Sequence, residues 1–165
     1  MTALSELPTL VLGPLEGRPD GDWQRAPAGK WTPAQIVEHL AIGMNFSADK
    51  FVARRAHDPM VRRRRTFLER LAHLFILDLQ WYPRGFKAPE GSRPGERVSR
   101  ASADAHFRAG LAKWVEVERL LLPARRNDLF VKHPRLGDLT IEEWITFNVV
   151  HARHHARQIR ERLSA

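Results

Sequence analysis

The chain has 165 residues, of which 43% are hydrophobic, so it is long enough to bury a core without covalent cross-links. It contains no cysteine, which excludes disulfides, thiolate metal sites and a cysteine nucleophile and fits a reducing compartment. Its net charge of +8 would attract nucleic acid, anionic substrates or acidic partners without selecting among them. Because the sequence shows neither a signal peptide nor a membrane span, we expect a cytoplasmic protein.

Four segments have the apolar spacing of helices, and two of them begin with a capping box. In WTPAQIVEHL, a threonine cap is followed by proline at the first helical position and by glutamine three residues after the cap. LTIEEWITF repeats this pattern with threonine and glutamate. The four predicted helices run from about Pro33 to Ala56, Arg65 to Trp81, Ala101 to Leu122 and Ile141 to Leu163.

The segments between these helices have the composition of loops. Tyr82 to Ser99 holds three prolines and three glycines and is long enough to cross over a bundle. HPRLGD predicts a turn before the last helix, and no strand pattern, internal repeat or domain-splitting linker occurs. The sequence therefore predicts one domain over residues 1–165, an all-α four-helix bundle with a long crossover loop between its second and third helices.

The last predicted helix carries three histidines in five residues, within VVHARHHARQIRERL. On a helical wheel, Asn148 and His155 lie close to the buried stripe, His151 lies on its flank on the same side, and His154 lies further round, towards water. His151 and His155 are four residues apart, which places their Cβ atoms roughly 6 Å apart on one face. This spacing suits two imidazoles on one cation, so we expect a third ligand from another helix.

The first helix offers His39 as that third ligand, at the edge of its apolar stripe. Gly43 destabilises a helix interior by roughly 1 kcal/mol relative to alanine, and we interpret it as leaving room beside the imidazole. The acidic residues nearest to the histidines, Glu38, Glu142 and Glu143, project to the wet side of their helices. Three histidines without a carboxylate would leave coordination positions for water and substrate, as catalytic metal sites do.

Two other interpretations of these residues compete with a metal site. A histidine pair at this spacing is weak evidence by itself, since surface and helix-capping histidines are common. The basic run Arg62 to Arg65 opens the predicted second helix and offers contacts to phosphates or an acidic partner, but a run of this length is usually a solvated face. It lacks the interleaved aromatic residues of single-strand binders, so we do not expect a nucleic-acid partner.

The stretch HPRLGDLTIEEWITFNVVHARHHARQI resembles the C-terminal signature of the DinB-like superfamily, also called DinB/YfiT, whose last helix carries an H-x-x-x-H-x-x-Q-[IL] pattern. GKWTPAQIVEHLA resembles the start of that superfamily's first helix, where a Trp-Ser/Thr pair leads to a His-Leu pair. The resemblance spans nearly the whole chain. Within the superfamily, the chain is similar to a branch described mainly as a domain of unknown function. Relatives often have glycine where this chain has Arg157, which faces water on the wheel.

This resemblance implies a four-helix bundle in which His39, His151 and His155 hold a divalent metal ion, usually zinc or nickel. Some relatives are metal-dependent transferases that activate a low-molecular-weight thiol, so the resemblance implies a small-molecule substrate and a thiol cosubstrate. The metal would act as a Lewis acid that lowers the pKa of a bound water or thiol. A metal-dependent hydrolase fits equally well, and a non-enzymatic metal-binding bundle stays open. Bundles of this kind often dimerise, which makes a homodimer one expected assembly.

Three further side chains are candidates for orienting a substrate or for supporting a ligand imidazole. Asn148, one turn before His151, would orient a substrate or water, or would be a core amide satisfied by backbone. Gln158 would support a ligand imidazole, and Asp78 of the second helix would accept a hydrogen bond from one or lie at a frayed helix end. The weak candidates for a catalytic role are therefore Asn148 and Gln158.

Overall fold

The computed structural model describes residues 3–83, 85 and 87–164, which are mostly helical. The helices are α1 (Leu7–Val11), α2 (Asp20–Trp23), α3 (Pro33–Arg54), α4 (Phe67–His73), α5 (Arg100–Arg125) and α6 (Ile141–Leu163). The strands are β1 (Val131–His133) and β2 (Gly137–Leu139). Helices α3, α4, α5 and α6 correspond to the four predicted helices, so the prediction of an all-α four-helix bundle is confirmed.

Capping boxes determine where three bundle helices begin. At α3, Thr32 Oγ1 accepts a hydrogen bond from the backbone N–H of Gln35 at 3.2 Å, and Gln35 Oε1 accepts one from the N–H of Thr32 at 3.0 Å. The same reciprocal pair forms at Thr66 before α4 and at Thr140 before α6. Each box satisfies two backbone donors that the helix leaves unpaired, so α3 and α6 begin where the sequence predicts.

Helices α3 and α5 form the principal helix pair of the bundle. Gly110 lies at a close approach, because a Cβ built there would be 2.7 Å from Asn45 Nδ2 and 3.1 Å from Met44 Cβ. One turn further along α5, the fully buried Trp114 donates from Nε1 to the carbonyl oxygen of Met44 at 3.1 Å and packs edge-on against Phe51. These contacts hold α3, which carries one of the candidate histidines.

The N-terminal segment belongs to the core. Its first turn, a 3₁₀ helix at Ala3–Glu6, and α1 both pack against α6. Leu4, Leu7, Val11 and Leu15 are fully buried. At roughly 1.5–3 kcal/mol for each fully buried side chain of this size, the segment contributes to the stability of the bundle around α6.

A small hairpin between α5 and α6 shows that the prediction of no strands is wrong. β1 and β2 pair antiparallel, with Val131 opposite Leu139 and His133 opposite Gly137. The predicted turn lies between them, and Gly137 has a φ of 76°, which favours glycine. Trp144 donates from Nε1 to the carbonyl oxygen of Val131 at 3.0 Å and attaches the hairpin to α6. Strands of three residues are too short to show a period of two.

The second bundle helix is shorter than predicted. The α-helix covers only Phe67–His73, and a π-helical turn follows at Leu74–Asp78. No residue of α4 itself is buried, whereas Ile76 and Leu77 of the π-helical turn are. The predicted crossover loop then follows, containing one 3₁₀ turn at Glu90–Ser92, and its residues 84 and 86 lie outside the described part of the chain.

The four arginines of VRRRRT precede α4 in a segment without regular secondary structure, so the prediction that they open the second helix is wrong. Arg62 Nη2 and Arg65 Nη2 donate to the two carboxylate oxygens of Glu143, at 2.8 and 2.9 Å. Arg63 forms an ion pair with the buried Asp138 of β2. Because three of the four side chains form ion pairs with Glu143 or Asp138, the run attaches the segment before α4 to α6 and to the hairpin.

Candidate metal centre

Three histidine rings converge between α3 and α6. The Nε2 atoms of His39 and His155 lie 3.3 and 3.0 Å from Nε2 of His151, and one ligand atom from each residue lies within 4.8 Å of the others. His39 is 5% exposed and His155 is 6% exposed. The structure therefore brings together the three residues selected from the sequence, and this buried group could hold a metal ion.

His39 is oriented by the crossover loop. Its Nδ1 lies 2.6 Å from the carbonyl oxygen of Ser92, in the 3₁₀ turn of that loop. Because a carbonyl oxygen only accepts, Nδ1 carries the proton and donates it, and Nε2 keeps its lone pair towards the other two rings. Trp31 packs against the His39 ring with a centroid distance of 5.0 Å.

His155 is oriented by an amide on its own helix. His155 Nδ1 donates to Gln158 Oε1 at 2.8 Å, and Gln158 Nε2 donates to His154 Nε2 at 3.1 Å. Each end of the amide has its own partner, so its orientation is determined and His155 Nε2 keeps the lone pair. His154 is half-buried, which corrects the prediction that it points to water as a bystander.

His151 lies between two aromatic rings. Tyr82 of the crossover loop stacks on one side, with a centroid distance of 5.2 Å and an interplanar angle of 24°. Phe147, one turn earlier on α6, stacks on the other side at 5.0 Å and 29°. Burial raises the pKa of Tyr82, which keeps the phenol protonated. The two rings restrict the imidazole of His151 to one plane.

The three imidazoles are neutral at pH 7. Burial lowers the pKa of His151 well below its usual value of 6.5, and the neighbouring histidines lower it further. Burial lowers the pKa of His155 to about 3 and also lowers the pKa of His39. Metal ligation requires the neutral ring with an available lone pair, which is the state that this environment favours.

The donor set fits a transition-metal dication. Nitrogens at 2.0–2.1 Å from a tetrahedral ion are separated by roughly 3.3 Å. Two of the three separations, those to His151 Nε2, are 3.0 and 3.3 Å, and all three ligand atoms lie within 4.8 Å of one another. The protons of His39 and His155 are on the outer nitrogens, so their lone pairs face the shared space. Imidazole nitrogens suit zinc, nickel, copper or iron rather than calcium or magnesium.

Asn148 carries a buried donor without a partner. The residue is 4% exposed, and its Nδ2 makes no hydrogen bond among the described residues. The alternative that backbone satisfies this amide therefore does not hold for Nδ2. An unsatisfied buried donor is unfavourable by about 1–3 kcal/mol, so Asn148 offers a position for a hydrogen-bond acceptor, one helical turn from His151.

Neither Asp78 nor Gly43 supports the site. Asp78 Oδ2 lies 3.3 Å from His73 Nδ1, and its half-exposed side chain ends the π-helical turn, which is the second of its two predicted alternatives, a position near the helix end. A Cβ built at Gly43 would meet no atom within 4 Å. The glycine therefore does not provide space that an imidazole needs, and its presence in the helix has no steric explanation.

The acidic residues near the histidines are held by other partners. Glu38 pairs with His106 at 2.9 Å, and Glu143 accepts hydrogen bonds from two arginines, so neither projects freely to water as predicted. Glu142 is 49% exposed and pairs with Arg126. Among the described residues, no carboxylate joins the group formed by the three histidines, in agreement with the prediction.

Sequence reasoning missed three contributors to the site. Ser92 acts through its backbone carbonyl, which leaves no signal in the side chain. His154 was assigned to the wet face because the wheel omits the contact with Gln158. Tyr82 is the only tyrosine of the chain and opens the crossover loop between Trp81 and Pro83, a position that does not indicate a contact with His151.

The fold and the site together define a class of protein: helical bundles that carry a candidate three-histidine metal site between the first and the last long helix. The family model of the DinB superfamily matches residues 3–159. The chain belongs to the DinB superfamily.

Among solved structures, the chain is similar to the one described as "YfiT from Bacillus subtilis is a probable metal-dependent hydrolase with an unusual four-helix bundle topology". The identity is 20% and the TM-score 0.62, over 96% of this chain and 81% of that chain, which shows a common fold. No curated protein matches the sequence. Within residues 3–83, 85 and 87–164, no helix has both the length and the apolar character needed to cross a membrane.

Proposed function

We propose that the protein is a metal-dependent enzyme for a small-molecule substrate, in which His39, His151 and His155 hold one divalent cation, zinc or nickel. The observation that carries this proposal is the convergence of three neutral imidazole nitrogens within 4.8 Å. The outer nitrogens of His39 and His155 donate to a backbone carbonyl and to an amide oxygen, as is usual for metal-ligating histidines. Three protein ligands leave coordination positions open, which is typical of catalytic metal sites.

Hydrolysis is the reaction class that we favour. The bound cation would supply a Lewis acid that polarises a carbonyl group or lowers the pKa of a coordinated water or thiol. The similar protein YfiT is described as a probable metal-dependent hydrolase, which supports hydrolysis. Transfer of a low-molecular-weight thiol is the second candidate, because a chain without cysteine would need its thiolate from a cosubstrate.

The chain's own residues would bind and orient the substrate. Asn148 Nδ2, which is buried and lacks a partner, would donate to a carbonyl or other acceptor oxygen of the substrate. Tyr82 and Trp31, packed against His151 and His39, would form apolar walls that limit access of water. Gln158 would hold the His155 ring in its orientation and would not touch the substrate.

The reaction class can be tested on protein without a polyhistidine tag, prepared with chelator, zinc or nickel. We expect metal-dependent hydrolysis within a panel of esters and amides, unchanged by added thiol, and no activity after chelation. Epoxides and haloarenes with a small thiol form the second panel, in which thiol consumption is measured. Turnover only in the second panel would replace hydrolysis by thiol transfer, and no turnover in either panel by fully loaded protein would contradict an enzymatic function.

Replacement of Gln158 by leucine should weaken metal affinity by roughly 10–100-fold, since the His155 ring loses its hydrogen-bond acceptor. Competition titration with a chromophoric chelator at pH 7.5 measures this change. Gln158→Glu, which retains the acceptor, should bind metal at least as tightly as the wild type. Gln80→Leu is the matched control, because Gln80 Oε1 accepts from Arg153 at the surface. Equal affinity of Gln158→Leu and wild type would show that the amide does not support the site.

The remaining expectations from the sequence enter the proposal unchanged. The cytoplasmic location and the single domain over residues 1–165 stay predictions. We also propose that the protein assembles as a homodimer.

A further inference from the structure

We propose that two copies of the chain associate through the exposed apolar side of α4, with the two helices antiparallel. We call this surface the α4 face. It consists of six large apolar residues, each 41–73% exposed: Phe67, Leu68, Leu71, Leu74, Leu79 and Trp81. This inference concerns assembly and does not depend on the proposed metal chemistry.

The members of the α4 face are continuous along the chain and in space. Phe67, Leu71 and Leu74 follow one another at spacings of four and three residues, which places them on one side of a helix. The N–H of Leu79 donates to the carbonyl oxygen of Leu74 at 2.9 Å, which closes the π-helical turn at Leu79. Trp81 packs against the ring of Phe75 at 5.6 Å. Together they form one surface rather than scattered apolar residues.

The area of this surface fits an interface of ordinary size. Side chains of this size present up to about 150–250 Å² each, so the six exposed fractions correspond to roughly 700 Å². This exceeds the patch of about 300–600 Å² that is the largest on a typical monomer. It approaches the roughly 800 Å² that each partner buries in a standard interface.

The exposure of α4, which contacts the rest of the protein through Ala72 and His73, also favours a covering partner. α4 has seven residues and none of them is buried. A helix this short is marginal in water without tertiary contacts, because its nucleation is unfavourable. A second copy of α4 against it would bury the apolar side of both helices at once.

The charges around the α4 face favour a second copy over an acidic partner. The protein carries a net charge of +8, but the arginines before α4 are largely neutralised by Glu143 and Asp138. Around the face, the positive charges of Arg64 and Arg70 are equal in number to the negative charges of Glu69 and Asp78, so the local net charge is zero. An antiparallel pair related by a two-fold axis would bring Arg64 near the partner's Asp78 and the reverse, a self-complementary arrangement.

Sedimentation of the full-length protein from about 1 to 200 μM, in 0.15 and 1 M NaCl, tests this proposal. We expect a monomer–dimer equilibrium that persists at high salt, because the face is apolar. Leu71→Glu should raise the dimer dissociation constant at least 100-fold, since it places two like charges near the two-fold axis. Leu120→Glu is the matched control: Leu120 is 50% exposed on α5, and its replacement should leave the equilibrium unchanged.

Charge exchange tests the antiparallel arrangement. Arg64→Glu should weaken the dimer about 5–10-fold, and the double variant Arg64→Glu/Asp78→Arg should recover wild-type association. Failure of the double variant to recover would overturn the antiparallel arrangement. A wild-type protein that stays monomeric at 200 μM, or a Leu71→Glu variant that dimerises like the wild type, would overturn the proposal. Binding of a monomeric wild type to phosphatidylglycerol vesicles would overturn it in favour of a lipid surface.

Discussion

Replacement of His155 by alanine is expected to abolish the stabilisation that zinc gives the protein. A ligand at 1,000 times its dissociation constant stabilises the folded state by about 4 kcal/mol, which corresponds to roughly 10 °C in Tm for a chain of this length. Two imidazoles from different helices hold a dication far less tightly than three. Differential scanning calorimetry in EDTA and in zinc should therefore show a Tm difference for the wild type and almost none for His155→Ala.

Controls separate this effect from general destabilisation. His106→Ala removes a partly exposed histidine of α5, outside the group of three, and should keep the full zinc-dependent rise in Tm. In EDTA, His155→Ala should fold, because the neutral imidazole that it removes contributes no ion pair. His39→Ala and His151→Ala should behave like His155→Ala. An equal rise in Tm with zinc in any of these three variants would exclude that histidine from the metal site.

Replacement of Gly110 by alanine is expected to destabilise the protein by about 3 kcal/mol. The added Cβ would lie 2.7 Å from Asn45 Nδ2 and 3.1 Å from Met44 Cβ, closer than atoms pack without displacement. Asn45 Nδ2 cannot move freely, because it donates to the carbonyl oxygens of Ala41 and His106 at 2.9 and 3.1 Å. Helices α3 and α5 would have to separate. Urea unfolding followed by circular dichroism measures the difference.

Gly43→Ala is the matched control within α3. It is also a helical glycine, but its added Cβ would meet no atom within 4 Å, so the higher helix propensity of alanine should stabilise the protein by roughly 0.5–1 kcal/mol. The two substitutions should thus change the free energy of unfolding in opposite directions. Destabilisation by Gly43→Ala, or no effect of Gly110→Ala, would contradict the packing of α3 against α5.

Local signals predicted the long helices well. The start of α3 and the start of α6 followed from capping boxes that form as the threonine, glutamine and glutamate residues indicate. A helical wheel also placed His151, His155 and Asn148 on the buried side of α6, because the period of a long helix is regular. The convergence of these residues with His39 required the additional knowledge that α3 and α6 are neighbours in this fold.

Long-range contacts explain what the sequence did not predict. The capping box of Thr66 and Glu69 begins α4 after the arginines, and the ion pairs of these arginines with Glu143 and Asp138 hold the segment before the helix. Ser92 reaches His39 across 53 residues through a backbone atom that every residue possesses. The apolar spacing predicted the second helix, yet periodicity cannot tell whether a core or a partner covers its apolar side.

X-ray absorption at the zinc edge, on tag-free protein reloaded with one equivalent of zinc, tests the three-histidine site itself. We expect three imidazole nitrogens at about 2.0–2.1 Å with at least one further light-atom ligand, and one zinc per chain after dialysis. His39→Ala should lose one imidazole contribution or the metal itself. A spectrum with fewer than three imidazoles, or no zinc retained by the wild type, would contradict the three-histidine metal centre.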